Sequence, residues 1–240
     1  MKDEASKILL NKLLLEMKDG IYSDTDRLPP EVELSHKFGV SRTVVRDALA
    51  VLEREGFVNR KHGIGTVINR RVLGLSSRLD MEKEFLEMLR DEGYQAEVAW
   101  SYYECIPADE KVRLRLELQE KDTVFAIYRL ITANKQPAIY CVDYVSTKLV
   151  KKEKCNLELL NEPVFNFLES ECDAYVKMDV TEVDAVKADE TVSKMLEVEI
   201  GQPLLYMDEI GYDFFAAPIL YAQEYYVPGI LHHTLIRKKM

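Results

Sequence analysis

Two short helical segments, joined by a tight turn that begins with a glycine, constrain the fold of this chain more than any other feature. Residues 31–38 and 42–55 space their apolar side chains as helices do, Gly39 breaks the chain between them, and Gly56 closes the second. Ser41 stands just before the second helix, where its hydroxyl can cap free backbone amides. Two short helices joined by a tight glycine turn predict a helix-turn-helix.

The second helix of this motif has an apolar face and a polar face. Its apolar positions fall on one side: Val45, Ala48, Leu49 and Leu52. Thr43, Arg46, Asp47 and Ala50 must therefore point roughly the opposite way. That outward face can enter a groove of DNA. A separate amphipathic helix is predicted over residues 7–17.

A glycine-bearing hairpin follows the two helices. Residues 57–61 and 66–68 have strand composition, and His62, Gly63, Ile64 and Gly65 join them. A hairpin in this place predicts a wing, so residues 1–70 are interpreted as a winged helix-turn-helix domain.

The rest of the chain alternates strand and helix patterns. Strands are predicted over six segments: residues 96–106, 124–132, 138–145, 174–183, 204–212 and 219–227. Helices are predicted over four: residues 81–92, 109–116, 164–171 and 189–196. The prediction is a two-domain α+β protein, with a connector over residues 71–78 and a largely antiparallel sheet in residues 79–240. No internal repeat is evident.

Charge separates the two parts of the chain. Residues 1–71 hold 13 basic and 11 acidic side chains, against 19 and 31 in residues 72–240. The net charge of −10 therefore belongs to the second part and does not exclude DNA, a phosphate polymer, as the partner of the first.

Several functional classes are disfavoured. No stretch is apolar for long enough to span a membrane and the N-terminal segment is no signal peptide, so a cytoplasmic protein is expected. The cysteines, expected to be reduced, lack zinc-site spacing: Cys105, Cys141, Cys155 and Cys172. His232 and His233 point in opposite directions if they lie on a strand, so they do not predict a metal site. No other cofactor is predicted.

Residues 27–68 resemble the winged helix-turn-helix of the GntR family of transcription regulators. The resemblance rests on an ordered, ungapped set of motifs: Leu-Pro, Gly-Val-Ser-Arg-Thr, a second arginine four residues after the first, Leu-x-x-Glu-Gly and Gly-x-Gly-Thr. It implies that operator DNA is contacted by Ser41, Arg42, Thr43, Arg46, His62 and Gly63. Val32 and Val44 stand where many members have arginine and threonine, and each is expected to remove a polar contact.

Residues 72–240 are similar to the effector-sensing UTRA domain of the HutC subfamily, which has a chorismate-lyase-like fold. The clearest stretches are residues 128–146 and 201–229. The resemblance implies effector contacts from these residues, with Tyr225 as one candidate for stacking: Ser76, Ser77, Arg78, Arg129, Cys141, Asp143, Tyr144 and Tyr225. Because Ile131 replaces a second arginine and Cys141 a glutamate, a less charged ligand or a carboxylate fits at least as well as a phosphosugar.

The leading hypothesis is a homodimeric, ligand-responsive regulator on a near-palindromic operator, most commonly a repressor released by a small-molecule effector. Two alternatives stay open. One is a redox regulator that uses Cys141 or Cys105, which would need a thiolate near positive charge. The other is an enzyme on the chorismate-lyase-like scaffold, which would leave the winged helix unexplained.

Overall fold

The computed structural model describes residues 2–81, 83–151 and 155–238. These residues divide into two compact units. The first unit contains residues 1–81 together with 233–240, and the second contains residues 82–232.

Three helices form the core of the first unit: α1 (Lys2–Lys18), α2 (Glu31–Phe38) and α3 (Arg42–Arg54). Fully buried leucines from each helix meet there, among them Leu13, Leu34 and Leu49. The Ser41 hydroxyl accepts a hydrogen bond from the Val44 amide at 3.3 Å, which confirms it as the cap of α3.

A three-stranded sheet forms the wing. It contains β1 (Arg27–Leu28), β2 (Val58–Lys61) and β3 (Gly65–Ile68), in the order β1-β3-β2. The hairpin of β2 and β3 confirms the predicted strands. β1 was not predicted, because a two-residue strand has no periodicity to detect.

The chain after the wing is more ordered than a plain connector. It forms a helical turn, α4 (Arg70–Leu73), and a short strand, β4 (Ser77–Arg78), which pairs in parallel with β11 (His233–Thr234). The Thr234 hydroxyl also donates to the Ser77 carbonyl at 2.8 Å. This pairing explains why residues 233–240, expected in the second domain, group with the first unit.

The paired strands β4 and β11 lead to the C-terminal end of α3. Arg78 donates to the Glu55 carbonyl at 3.0 Å, and its guanidinium lies 5.1 Å from the centre of the Phe57 ring. The Lys238 ammonium donates to the carbonyls of Glu53 and Arg54. Cations therefore donate hydrogen bonds to the carbonyls at this helix end, where the helix dipole favours positive charge.

The second unit is built on a six-stranded antiparallel sheet. Its strands are β5 (Ala96–Pro107), β6 (Thr123–Ala133), β7 (Gln136–Ser146), β8 (Met178–Lys187), β9 (Pro203–Tyr212) and β10 (Pro218–Tyr226). Its helices are α5 (Phe85–Asp91), α6 (Glu110–Arg115), α7 (Val164–Phe167) and α8 (Glu190–Leu196). Two 3₁₀ turns (Thr147–Leu149, Leu157–Asn161) and a π-helical turn (Leu168–Cys172) complete it. The strand order is β5-β6-β7-β10-β9-β8.

Each face of the sheet has its own apolar layer. On the α7 face, Ile127, Val145 and Leu220 pack against Phe167 and Leu168. On the opposite face, called the α6/α8 face, strand residues pack against helix residues in two clusters: Val124, Ile210 and Tyr221 with Val112 and Leu116, and Tyr140, Val142 and Leu204 with Val192 and Leu196.

The sheet consists of two copies of one β-α-β-β unit, about 80 residues apart. Asp109 and Asp189 cap α6 and α8 in the same way, each accepting an amide hydrogen bond at 2.8 Å. Glu117 and Glu197 both follow their helix in left-handed conformation, with φ of 52° and 53°. The expectation of no internal repeat was therefore wrong. The sequence itself carries part of the repeat, since Ala-Asp-Glu-x-Val-x-x-x-Leu-Glu occupies residues 108–117 and again residues 188–197.

The predicted elements of the second unit are present with shifted ends. The strand expected over residues 174–183 lies at Met178–Lys187, and the helix expected over residues 81–92 is α5, Phe85–Asp91. Residue 82, within that prediction, lies outside the described residues. The other five strands agree within two residues at each end.

Candidate operator-binding surface and effector pocket

The N-terminal end of α3 presents the predicted DNA-contacting side chains to solvent. Ser41, Arg42 and Thr43 are exposed, and Arg46 is 61% exposed one turn further along. Asp47 is half-buried and Ala50 is exposed, as the predicted outward face requires. A helix end of this kind can place amide, hydroxyl and guanidinium donors in a groove of DNA.

Arg46 is held by a carboxylate. Its Nη2 lies 3.1 Å from Oε2 of Glu31 in the first turn of α2. The Arg46 side of the pair is largely exposed, so the net stabilisation is small and the arginine can exchange this partner for a phosphate or a base.

The wing tip lies at the far end of the β2–β3 hairpin. His62 and Gly63 are both exposed there, and Gly63 and Gly65 have φ of +76° and +97°. Only glycine adopts such angles without strain, so the tight tip depends on both. Arg27 donates to the Ile64 carbonyl at 3.2 Å and connects β1 to this tip.

An ion pair that sequence reasoning missed braces the wing against α3. Glu53 accepts from the Arg60 backbone amide at 2.9 Å and from Arg60 Nε at 2.8 Å. Partial burial raises the pKa of Glu53, but the hydrogen bonds from Arg60 outweigh burial and lower it. The carboxylate thus stays charged and fixes the wing relative to the recognition helix.

The two family departures have different structural meanings. Val32 is 44% exposed on α2, in a position to have lost a polar contact. Val44 is 7% exposed and belongs to the core of the first unit. The expectation that Val44 removes a DNA contact was therefore wrong, because its side chain points inward.

Three predicted effector contacts come together on the α7 face. Arg129 and Asp143 form a buried ion pair, and Cys141 lies directly opposite Arg129 in the β6–β7 register. Arg129 also lies 5.9 Å from the centre of the Phe85 ring and donates to the Glu162 carbonyl at 3.4 Å.

Other predicted contacts lie elsewhere. Tyr144 and Tyr225 point to the α6/α8 face, where Tyr144 stacks on Tyr221 at 5.5 Å and Tyr225 on Tyr140 at 6.1 Å. Neighbouring strand residues alternate between faces, so neither tyrosine shares the surface of Arg129.

Ser76, Ser77 and Arg78 belong to the first unit. Arg78 is 8% exposed and pairs with Asp80 at 2.6 Å, and Ser77 Oγ lies 3.1 Å from His233 Nδ1.

Three carboxylates on or beside the α7 face were missed. Glu209 and Glu224 lie on the α7 face of β9 and β10, and Glu84 precedes α5. Burial, with Asp143 nearby, raises the pKa of Glu84, while Arg129 opposes the shift. The sequence did hold a signal for Glu209 and Glu224, because each interrupts the apolar residues at alternating positions of its strand. A buried acid is rare without a partner, so such a position indicates a site.

A cavity of about 370 Å³ lies within the second unit. Its walls are Lys83, Glu84, Glu87, Phe165, Leu168, Glu169, Ala174, Tyr175 and Val176. Leu168 and Val176 belong to the apolar layer of the α7 face, so the cavity lies over that face. Its size suits a small metabolite.

Cys141 does not have the environment of a redox-active thiol. The side chain is fully buried, and burial raises the pKa of its thiol despite the adjacent Arg129. Because the thiolate is the reactive form, this environment argues against the redox alternative at Cys141.

The chain thus combines a DNA-binding winged helix with a separate unit that contains a pocket for a small molecule, which is the architecture of a ligand-responsive transcription regulator. The family models agree. The model for bacterial regulatory proteins of the gntR family matches residues 9–68, and the UTRA domain model matches residues 91–229. The chain belongs to the GntR family of regulators that carry a UTRA domain.

Curated relatives have the same architecture over most of their length. The uncharacterized HTH-type transcriptional regulator YurK of Bacillus subtilis is 25% identical over 85% of this chain and 83% of its own. The HTH-type transcriptional regulator GmuR of the same species is 23% identical over 90% of this chain and 91% of its own. These relatives confirm a regulator and not an enzyme.

Solved structures confirm the two-domain fold. The crystal structure of the possible transcriptional regulator YydK from Bacillus subtilis has a TM-score of 0.77 and 17% identity, covering 98% of this chain and 99% of that one. PhnF from Mycobacterium smegmatis has a TM-score of 0.58 and 20% identity, with 90% and 93% covered. Among the described residues, none of the helices combines the length and apolarity needed to cross a membrane.

Proposed function

We propose that this chain is a cytoplasmic homodimeric repressor that leaves its operator when a small molecule occupies the cavity of the second unit. The observation that carries the proposal is the exposed N-terminal end of α3, with Arg42, Thr43 and Arg46, in the same unit as a wing braced by Arg60 and Glu53.

The side chains of this surface suit two grooves of DNA. Arg42 and Arg46 supply bidentate donors for guanine edges or phosphates in the major groove, while Ser41 and Thr43 supply hydroxyls. His62 and Gly63 at the wing tip suit the minor groove, because a glycine lets the backbone approach closely. Arg46 would have to leave Glu31 to bind, which costs little for an exposed pair.

Exposed apolar residues on the edge strands of the sheet support the homodimer. On β5, Trp100 and Tyr102 are 42% and 49% exposed and stack at 6.2 Å. On β8, Met178 and Val180 are 55% and 48% exposed. Edge strands with exposed apolar side chains invite pairing with another chain, and a second copy would bury them.

The connections between the units support the coupling. The chain leaves the first unit after residue 81 and returns to it at residue 233, and both passages adjoin the paired strands β4 and β11. Arg78 of β4 and Lys238, four residues after the end of β11, both contact the end of α3. An effector that favours one arrangement by about 1–3 kcal/mol would shift operator occupancy roughly 5–150-fold.

Fluorescence anisotropy on the DNA upstream of the gene tests the operator-binding proposal. We expect tight binding that resists nonspecific competitor and weakens steeply with salt. Arg42→Ala/Arg46→Ala should abolish it, while Arg54→Ala, which removes a cation from the other end of α3, serves as the matched control.

Glu31→Gln sharpens the same experiment. Without the Glu31 carboxylate to hold Arg46, the variant should bind DNA a few-fold more tightly. The slope of log affinity against log salt concentration should steepen by up to about one released counterion. Weak and equal binding to every sequence in a genome-wide selected DNA pool would contradict the proposed function.

A further inference from the structure

The two copies of the β-α-β-β unit place charged residues at equivalent positions on the α7 face. In the β6–β7 pair, Arg129 lies opposite Cys141, and Asp143 is two residues further along β7. In the β9–β10 pair, Glu209 lies opposite Ala222, and Glu224 is two residues further along β10. Glu209 thus corresponds to Arg129, and Glu224 to Asp143.

The first copy balances its own charge. Arg129 is 5% exposed and Asp143 is 2% exposed, and each neutralises the other. The second copy has two carboxylates instead. Glu209 accepts from the Thr181 hydroxyl at 2.5 Å and Glu224 from the Tyr226 hydroxyl at 2.5 Å. Each has a neutral hydroxyl as its partner, so neither bond cancels a negative charge.

Burial makes this second pair costly when both groups are ionised. It raises the pKa of Glu209 to about 7, with Asp179 and Asp143 adding to the shift. The pKa of Glu224 also rises, chiefly through burial and then through Glu209, although the Tyr226 hydroxyl and the charge of Arg129 oppose the shift. A cation placed between the two carboxylates would remove this penalty.

Among the described residues, Glu209 and Glu224 are not walls of the cavity over this face, but Asp143 acts electrostatically on both Glu209 and the wall residue Glu84, so the two acidic sites are neighbours. The cavity walls include Glu84, Glu87 and Glu169, while the lysine of the cavity, Lys83, already pairs with Asp91 and with Glu87. The remaining walls are apolar or aromatic: Phe165, Leu168, Ala174, Tyr175 and Val176. This lining suits an apolar body that carries positive charge and repels an anion.

A buried donor on the same face also points to a ligand. Arg129 Nε is buried and, among the residues that the structure describes, has no hydrogen-bond partner. Buried donors are normally satisfied, so an acceptor oxygen on a bound molecule would complete this group.

We infer that the effector is an organic cation, an amine or guanidine on a small apolar body with an acceptor oxygen, and that Glu209 and Glu224 provide the counter-charge. The inference rests on the proposed function, because it names the ligand class of that same pocket. It replaces the anionic effector that the sequence left open with one of opposite charge.

Three probes of matched skeleton test the inference by isothermal titration calorimetry on the full chain. They are 2-amino-3-phenylpropan-1-ol as the cation, 3-phenylpropan-1-ol as the neutral molecule and 3-phenylpropanoate as the anion. We expect the amine to bind at least about tenfold more tightly than the alcohol, as one charge-assisted hydrogen bond implies. The anion should bind most weakly.

Matched variants assign the preference to the two carboxylates. Glu209→Gln and Glu224→Gln should each weaken binding of the amine about tenfold and leave the affinity for the alcohol unchanged. Glu199→Gln, which removes an exposed carboxylate outside the pocket, should change neither. The unfolding midpoint of each variant shows that it is folded.

The inference would be overturned by equal affinity for amine and alcohol, by preference for the anion, by no detectable binding of the amine, or by unchanged amine affinity in both glutamine variants. Operator binding, measured separately by anisotropy, distinguishes the two failures. A chain that binds its operator and not the amine retains the regulatory function and loses the ligand class.

Discussion

In the first repeat of the second unit, a buried arginine faces a buried aspartate, whereas in the second repeat two glutamates occupy the equivalent positions. The backbone around the two sites is the same in strand register and in helix capping. The difference shows that one scaffold can hold either a closed ion pair or two acids whose hydrogen-bond partners are neutral hydroxyls. The first pair is complete within the structure itself, and the second is the pair that we infer to bind a ligand.

Breaking the ion pair of the first repeat should have the largest effect. Arg129→Met leaves Asp143 charged and buried without its partner, so the second unit should lose about 3–5 kcal/mol of stability. Urea unfolding followed by fluorescence of Trp100, the one tryptophan of the chain, reports on this unit. Arg129→Met/Asp143→Leu should recover most of the loss, and a double variant as unstable as the single one would contradict a closed pair.

The second unit should instead become more stable when Glu209, in the second repeat, is protonated and loses its charge. The folded state keeps a proton on Glu209 up to about pH 7, while the unfolded state releases it near its ordinary value of 4.5. The unfolded state therefore binds fewer protons between these values, so stability should fall as pH rises from 4.5 to 7, by roughly 3 kcal/mol at most.

Glu209→Gln should flatten this pH dependence and stabilise the second unit above pH 7. Thermal unfolding at half-unit pH intervals checks it, with Glu199→Gln as the exposed control. A pH profile unchanged by Glu209→Gln would show that this carboxylate is not the titrating group.

The helix caps test whether the two repeats are energetically as well as geometrically equivalent. Asp109→Ala and Asp189→Ala each remove one cap hydrogen bond of 2.8 Å, and each should cost about 1 kcal/mol. If urea unfolding shows different losses of stability for Asp109→Ala and Asp189→Ala, the two repeats are similar in backbone geometry and not in energy.

The smallest effect is expected at the two left-handed residues. Glu117→Gly and Glu197→Gly relieve the strain of positive φ, but they also add flexibility to the unfolded chain. Each should therefore raise the free energy of unfolding by at most about 1 kcal/mol. Matched small gains in the unfolding midpoint would support the equivalence, and a loss at either site would show that its side chain has another role.

Local signals predicted the first unit well. Gly39, Ser41 and Gly56 mark the ends of α2 and α3 directly, because caps and left-handed turns depend on single residue types. The outward face of α3 followed from its helical period. The Glu31–Arg46 and Glu53–Arg60 pairs could not be predicted in this way, since each joins residues that only tertiary packing brings together.

The effector pocket was only partly predictable. Arg129, Cys141 and Asp143 share a face because strand alternation places them there, while the same alternation separates Tyr144 from them. Glu209 and Glu224 depend on the register between β9 and β10, which sequence does not specify. The repeat is visible in the sequence only around the two helix caps, at residues 108–117 and 188–197, because the equivalent strand positions differ, Arg129 and Glu209 even in the sign of their charge.

The pairing of β4 with β11 has a practical consequence for dissecting the protein. A fragment that ends at residue 81 contains the whole winged helix but lacks His233 and Thr234, the partners of Ser77 and Arg78. It also lacks Lys238, which donates to carbonyls at the end of α3. Segments distant in the sequence therefore form one folding unit, and a DNA-binding fragment should be built as residues 1–81 joined by a short linker to residues 233–240.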